Sequence, residues 1–319
     1  MATPDAFAPV AITTRNDFEE SVHFGAVVAL SPDGNVELTV GDPGVLVYPR
    51  SSNKPMQAVA MVRSGLSLPP ELLALVCASH DGTPMHLQAA ERILASAGLT
   101  ADALANTASM PLDEASAWAI IAAGGDRTAL QMNCSGKHSG MVATCVHNGW
   151  AHDASYLQVD HPLQRVITDT IDELCAEPHA HIGVDGCGAP AHAMSLVGLA
   201  RAFRAIATGA AGAAGDAVYA AMTQHPEMVG GTTRDVTILM QHVPGLVAKD
   251  GADGVFAAAL PDGRAVALKI ADGGDRARPP VMLAALADIG VDVSAVAPML
   301  EEKIMGHGRQ VGTVRALNL

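Results

Sequence analysis

Ser21-Val22-His23-Phe24-Gly25-Ala26-Val27-Val28-Ala29-Leu30, followed by Ser31-Pro32-Asp33-Gly34 and then by Val36 to Val40, is the stretch from which the fold can be read. It alternates loosely, turns apolar, meets a turn signature and resumes a strand pattern. That order predicts a β-hairpin with a loop of several residues. Asp42-Pro43-Gly44 closes the hairpin, and Val45 to Tyr48 is a short strand-like run. Matching runs lie far along the chain. Leu246-Val247, Val255 to Ala259 and Ala265 to Ile270 read as strands joined by turns at Asp250-Gly251 and Pro261-Asp262-Gly263, and Val311 to Leu317 as a closing strand.

The sequence between these ends is helical in spacing. The expected helices are Met56 to Val62, Glu71 to Ala78, Met85 to Ala97, Asp113 to Ala123, Gly140 to Asn148, Pro162 to Cys175, Ala191 to Ala207 and Asp216 to Gln224, with Pro280 to Gly290 as a late one. In Pro162 to Cys175, residues Leu163, Val166, Ile167, Thr170, Ile171 and Leu174 share one face. Gly209 to Gly215 reads as a linker or surface loop, and His225-Pro226 as a helix stop. Strands at both ends with helices between predict an α+β fold. The expectation is one domain over residues 1–319, with a terminal-strand sheet and a helical insert at about 55–240.

Of the 319 residues, 49% are hydrophobic, 16% charged and 3% aromatic. This supports a folded, Ala-rich core rather than disorder. The net charge of −14 would repel a phosphate backbone, and no Lys/Arg block offsets it, so nucleic acid is excluded as a partner. No run reaches the ~18 apolar residues of a membrane helix, and Met1 to Glu20 lacks a signal-peptide pattern. Five cysteines, an odd number, fit reduced thiols and a cytoplasmic setting.

Three segments carry chemistry. In Arg50-Ser51-Ser52-Asn53-Lys54-Pro55, Ser51 and Lys54 are three apart and share a helix face, so the amine can serve as base to the hydroxyl. The plain alternative is a helix cap followed by a solvated lysine, and Ser52, two residues before the lysine and at a less natural helical spacing, is the competing nucleophile. Pro55 disfavours helical geometry at Lys54, which points to an irregular turn. Ser79, in Ser79-His80-Asp81-Gly82, is either a polar helix end or a second hydroxyl, with Lys249 as its amine partner. Cys134, Lys137 and His138 are three and four apart, and Cys187 stands between two glycines. From the residues alone, Cys134, His138 and Cys187 are the ordinary zinc ligands, against the alternative of buried apolar thiols. Asp185 is either a turn residue or a group holding a substrate's amino end. Asp185-Gly186-Cys187-Gly188-Ala189-Pro190 lacks the strand–turn–helix context of a dinucleotide site.

Taken together, Tyr48 to Gln57, Cys77-Ala78-Ser79-His80, Asn133 to Met141 and Asp185 to Pro190 resemble the L-asparaginase family of the Rhizobium inducible, thermolabile type. His225 to Val229 and Lys249 to Phe256 also fit. The resemblance implies a fold similar to serine β-lactamases and glutaminases, a homodimer, and a reaction that takes L-asparagine to L-aspartate and ammonia. It implies two Ser–Lys tandems, Ser51 with Lys54 and Ser79 with Lys249. It implies zinc held by Cys134, Lys137 and Cys187, with His138 beside them, and Arg50 and Asp185 as pocket residues. A lysine ligand has to be neutral to coordinate. The competing readings are a glutaminase or β-lactamase-like acylase using the same serine, and a zinc-binding sensor with no reaction at all.

Overall fold

The apolar runs at the two chain ends find each other. In the computed structural model, which describes residues 3–319, the N-terminal side forms β1 (Ala8–Arg15), β2 (Phe18–Leu30), β3 (Val36–Val40) and β4 (Leu46–Val47). Then come α1 (Lys54–Arg63), α2 (Pro70–Val76), α3 (Pro84–Ser96), α4 (Glu114–Ala122), α5 (Ser135–Asn148) and α6 (Pro162–Cys175). They are followed by β5 (His181–Val184), β6 (Pro190–Ser195), α7 (Leu196–Ala207), α8 (Gly212–Gln224), α9 (Pro226–Gly230) and α10 (Asp235–His242). The chain closes with β7 (Val247–Gly251), β8 (Val255–Ala259), β9 (Ala265–Ile270), α11 (Arg278–Asp288), β10 (Glu301–Gly306) and β11 (Arg309–Ala316).

Eight of these strands form one antiparallel sheet in the order β10-β11-β1-β2-β9-β8-β7, with β3 pairing onto β2. The fold is therefore α+β, with the sheet drawn from both ends of the chain. Strand β2 joins two neighbourhoods. Phe18 to Gly25 pair with β1, while Val27 to Leu30 pair with β3 and β9. Helix α7 packs on β2, β8 and β9, and α11 packs on β9 and β11. Every residue of β8 is buried as a result. A strand with both faces covered needs no polar alternation, which is why Val255-Phe256-Ala257-Ala258-Ala259 has none.

Helix α1 is the axis of the helical half. It is buried from Lys54 to Met61 and packs against α5, α6 and α8. A helix surrounded on all sides carries its apolar residues all round. A small second sheet, β4-β6-β5, closes the far side.

Several expectations are corrected. Ala191 to Ala207 is not one helix: Pro190–Ser195 is strand β6, held between β4 and β5, and the Ser195 hydroxyl then caps α7 at the Gly198 amide. Strand pairing here overrides alanine's helix preference. The glycine-rich stretch is only partly loop, because α8 starts at Gly212. The stop read at His225-Pro226 does fall there, since α8 ends at Gln224, and Pro226 then opens α9, where a missing N–H costs nothing. No helix among the described residues is long and apolar enough to cross a membrane.

Candidate active site

The turn Arg50–Asn53 is a 3₁₀ helix that runs straight into α1. Lys54 is itself helical (φ −60°, ψ −36°), and its N–H donates to Ser51 O. The irregular stretch expected around Pro55 is therefore the turn before it, and the proline sits where the first helical turn has no use for a donor. A glycine seats this turn against the sheet. A methyl group at Gly251 would lie 2.3 Å from Pro49 O. Ser52 Oγ then donates to Lys249 O at 3.0 Å, fixing the start of α1 to β7.

Lys54 is buried, and its Nζ donates to Ala78 O at 2.5 Å and to Ser79 Oγ at 3.1 Å. Among the described residues, the half-buried Ser51 makes no side-chain hydrogen bond. Lys249, fully buried, turns to Asp250, donating to its carbonyl at 2.7 Å and to its carboxylate. The structure thus brings Lys54 to Ser79, and does not join Ser79 to Lys249 by a hydrogen bond. The crossing arises because Cys77 to Asp81 run past the head of α1, held there by Ser79 N–H on Val229 O and His80 N–H on Asn133 O.

Cys134 caps α5 at its N-terminal end. A methyl group at Gly136 would lie 2.4 Å from Leu75 O, so α5 rests directly on α2. This close approach brings Cys134 to the Lys54 side chain. The β5–β6 turn delivers Cys187, whose Sγ accepts from Lys137 Nζ at 3.1 Å. The neighbouring Cys187 sulfur pushes the Cys134 thiol well down, and Cys134 with burial pushes Cys187 up, while Lys54 and Lys137 favour the Cys134 thiolate against burial. In the structure Cys134 Sγ donates to Asn133 Oδ1 at 3.1 Å. Burial works against the charge on Lys137, but Cys187, Cys134 and Asp185 outweigh it and hold the amine protonated. His138 is fully buried and lies beside Cys187. Its Nδ1 is 2.8 Å from Tyr156 Oη, its Nε2 has no hydrogen-bond partner, and burial lowers its pKa to about 4.

No group of three His, Cys, Asp or Glu suited to a metal ion occurs among the described residues. The third head group of this cluster is an amine instead. Two converging thiols, one of them readily ionised, beside an unpartnered imidazole nitrogen fit a soft divalent ion, provided Lys137 gives up its proton.

Arg50 Nε donates to Asp185 at 2.8 Å, and its other end pairs with Asp253. Arg50 (φ +52°) and Asp253 (φ +57°) both sit in the left-handed region, at roughly 1–2 kcal/mol each. Burial pushes the Asp185 carboxyl up, but Lys137 and Arg50 outweigh it, so the net direction is down. A cavity of about 250 Å³, lined by Tyr48, Arg50, Gly183, Val184 and Ala191, opens beside this pair. A larger surface cavity, about 800 Å³ and lined by Leu99, Asp102 and His152 among others, lies away from these groups.

Sequence reading missed Asp250, Arg234, Asp253 and Tyr156, of which Asp250 was signalled by its place next to Lys249. Ser52, read as a competing nucleophile, instead spends its hydroxyl on Lys249 O. Arg234, Asp253 and Tyr156 reach the site only through tertiary packing.

The α+β frame and this array of serine, lysine and thiol groups belong with an amidohydrolase. A family profile, L-asparaginase II, matches residues 11–316, and the chain belongs to that family. A comparison with curated proteins finds no significant match. Among solved structures, a β-lactamase from Mycobacterium bovis aligns at TM-score 0.39 and 15% identity, over 84% of this chain and 95% of that one. The protein Mglu in its native form aligns at TM-score 0.38 and 14% identity, over 83% of this chain and 63% of that one. These distant likenesses carry no weight on activity.

Proposed function

We propose that this chain hydrolyses the side-chain amide of L-asparagine to L-aspartate and ammonia through an acyl-serine. The observation that carries the reading is the buried contact of Lys54 Nζ with Ser79 Oγ at 3.1 Å, beside the Cys134 thiol. A serine hydroxyl is a poor nucleophile until a neighbouring base takes its proton. In the proposed first step a serine Oγ bonds to the amide carbon and its proton passes to a lysine amine. The C–N bond then breaks, and the proton leaves with the nitrogen as ammonia. Water adds to the ester carbon, a lysine amine carries one of its protons back to the serine oxygen, and L-aspartate departs.

Ser51 takes the attacking role, with Lys54 as its base and Ser79 and Lys249 as proton relay. Its supports are its accessibility and the neighbouring Arg50. Lys249 suits proton exchange because burial, with Lys54 and Arg234 nearby, lowers its pKa to about 8 against the pull of Asp250. The 3.1 Å contact favours a second assignment, in which Ser79 attacks and Lys54 is the base. Arg50 holds the substrate carboxylate, Asp185 its amino group, and His138 supports the pocket from beneath. Cys134, Lys137 and Cys187 would hold zinc, which when bound supplies positive charge that orients the substrate. A homodimer and a cytoplasmic setting are carried over from the resemblance and from five unpaired, buried thiols.

The test is ammonia release from asparagine and from glutamine, with a chromogenic β-lactam alongside, for wild type, Ser51→Ala and Ser79→Ala. Asparagine is the expected substrate. Ser51→Ala should lose about 10³-fold or more in turnover while its zinc content stays unchanged. Activity kept in Ser51→Ala and lost in Ser79→Ala moves the attack to Ser79. A wild type that binds zinc but releases no ammonia from either amide ends the reading in favour of a zinc-binding protein.

A further inference from the structure

Behind the two lysines lies a charge cluster that the proposed reaction leaves unused. Arg234, at the start of α10, donates through Nη1 to Ser79 O at 3.2 Å and approaches Asp81 at 3.6 Å. Its Nη2 pairs with the Asp250 carboxylate, the same carboxylate that receives the Lys249 ammonium. Arg278 stands behind at 3.9 Å from Asp250, fixed by Asp235 and Asp275 at 3.1 Å each and by Gly251 O at 3.1 Å.

Taking the amide-hydrolase reading as its ground, we propose that Arg234 is a positioning residue: its guanidinium ties the Ser79 loop to Asp250 and keeps that buried carboxylate compensated when Lys249 gives up its proton. The argument is one of charge. If Lys249 were the only partner of Asp250, a neutral amine would leave a bare, uncompensated carboxylate in the protein interior, which is strongly unfavourable. With Arg234 and Arg278 on the same carboxylate, the proton can leave without that cost. The groups facing the Lys249 amine are Asp250, Lys54, Arg234 and the Cys77 thiol, and Arg278 acts on it through Asp250. Of these, Arg234 alone also holds the backbone of Ser79, so one side chain sets both the position of a hydroxyl and the proton affinity of an amine. Lysine in its place cannot span both contacts, because only the planar fork presents two donors at fixed separation.

The experiment is a ¹³C NMR titration of the lysine side chains in the full-length protein, with Lys249→Arg assigning the Lys249 signal. Arg234→Gln should raise the Lys249 midpoint by about one pH unit, a tenfold change in proton affinity. Asp250→Asn should move it the other way. Arg234→Lys should give a smaller rise than Arg234→Gln, and it decides the matter if the glutamine variant does not fold. A midpoint unmoved in a folded Arg234 variant overturns the proposal. The titration needs no turnover, so ammonia release by the wild type tests the hydrolase reading separately. A wild type without activity whose Lys249 midpoint still rises in Arg234→Gln rejects the reaction and keeps the coupling.

Discussion

Lys137 and Lys249 are both buried, at 2% and 0% exposure, yet they hold their protons to opposite degrees. Burial lowers the proton affinity of each. Around Lys137, two sulfurs and Asp185 together answer its charge, even though Asp185 is also paired with Arg50, and the amine stays cationic. Around Lys249, the one carboxylate is already shared with Arg234 and Arg278, while Lys54 adds a like charge, and the pKa falls to about 8. The difference teaches that depth does not decide a lysine's state. What decides it is the balance between nearby anions and competing cations: three anionic groups around Lys137, against one carboxylate and two further cations around Lys249.

The largest effect expected from breaking this comparison is on turnover and metal separately. Lys249→Met should cut ammonia release by about 10³-fold and leave zinc stoichiometry intact, whereas Lys137→Met should weaken zinc binding by at least about 100-fold. Parallel kinetics and metal analysis check both arms, and equal loss of zinc in the two variants would erase the distinction between the pockets. A middle-sized effect is in pH. Lys249 acts when neutral, so turnover should climb with pH through about 8. Because its folded value lies below that of an ordinary lysine, the same group makes the folded state gain stability as pH rises from about 8 toward the ordinary lysine range. A rate profile flat from pH 6 to 9 counts against Lys249 as the exchanging amine. The smallest effect is on stability. Gly136→Ala puts a methyl group 2.4 Å from Leu75 O and should cost about 1–3 kcal/mol, read as a lowered Tm and a looser thiol pocket.

Much of the frame was legible because it depends on local pattern. The β2 and β3 hairpin, β8, β9 and α6 announce themselves through apolar runs, turns and helical spacing. Strand β10 begins Glu301-Glu302-Lys303, the charged habit of an edge strand, and so looks like a loop. Strand β6 is alanine-rich and reads as helix until its partners are known. The candidate site divides the same way. Arg50 to Lys54, Cys134 to His138 and Asp185 to Cys187 are close along the chain, and their spacing suggests chemistry. Lys54 and Ser79 are 25 residues apart, and Arg234 is 155 from Ser79. No local spacing foretells which amine meets which hydroxyl, since the path of Cys77 to Asp81 across α1 decides it.

The Arg50–Asp253 pair joins two residues whose backbones both lie in the left-handed region. Both backbones are held in a conformation that suits glycine, and each side chain is the other's anchor. The ion pair therefore ties the turn before α1 to the β7–β8 turn, where Asp253 and Gly254 (φ +72°) both take the left-handed region because the hairpin requires it. Glycine at position 50 would ease the backbone there and, in the same stroke, remove the guanidinium that bridges Asp185 and Asp253, so comfort and charge pairing are exchanged directly at this position.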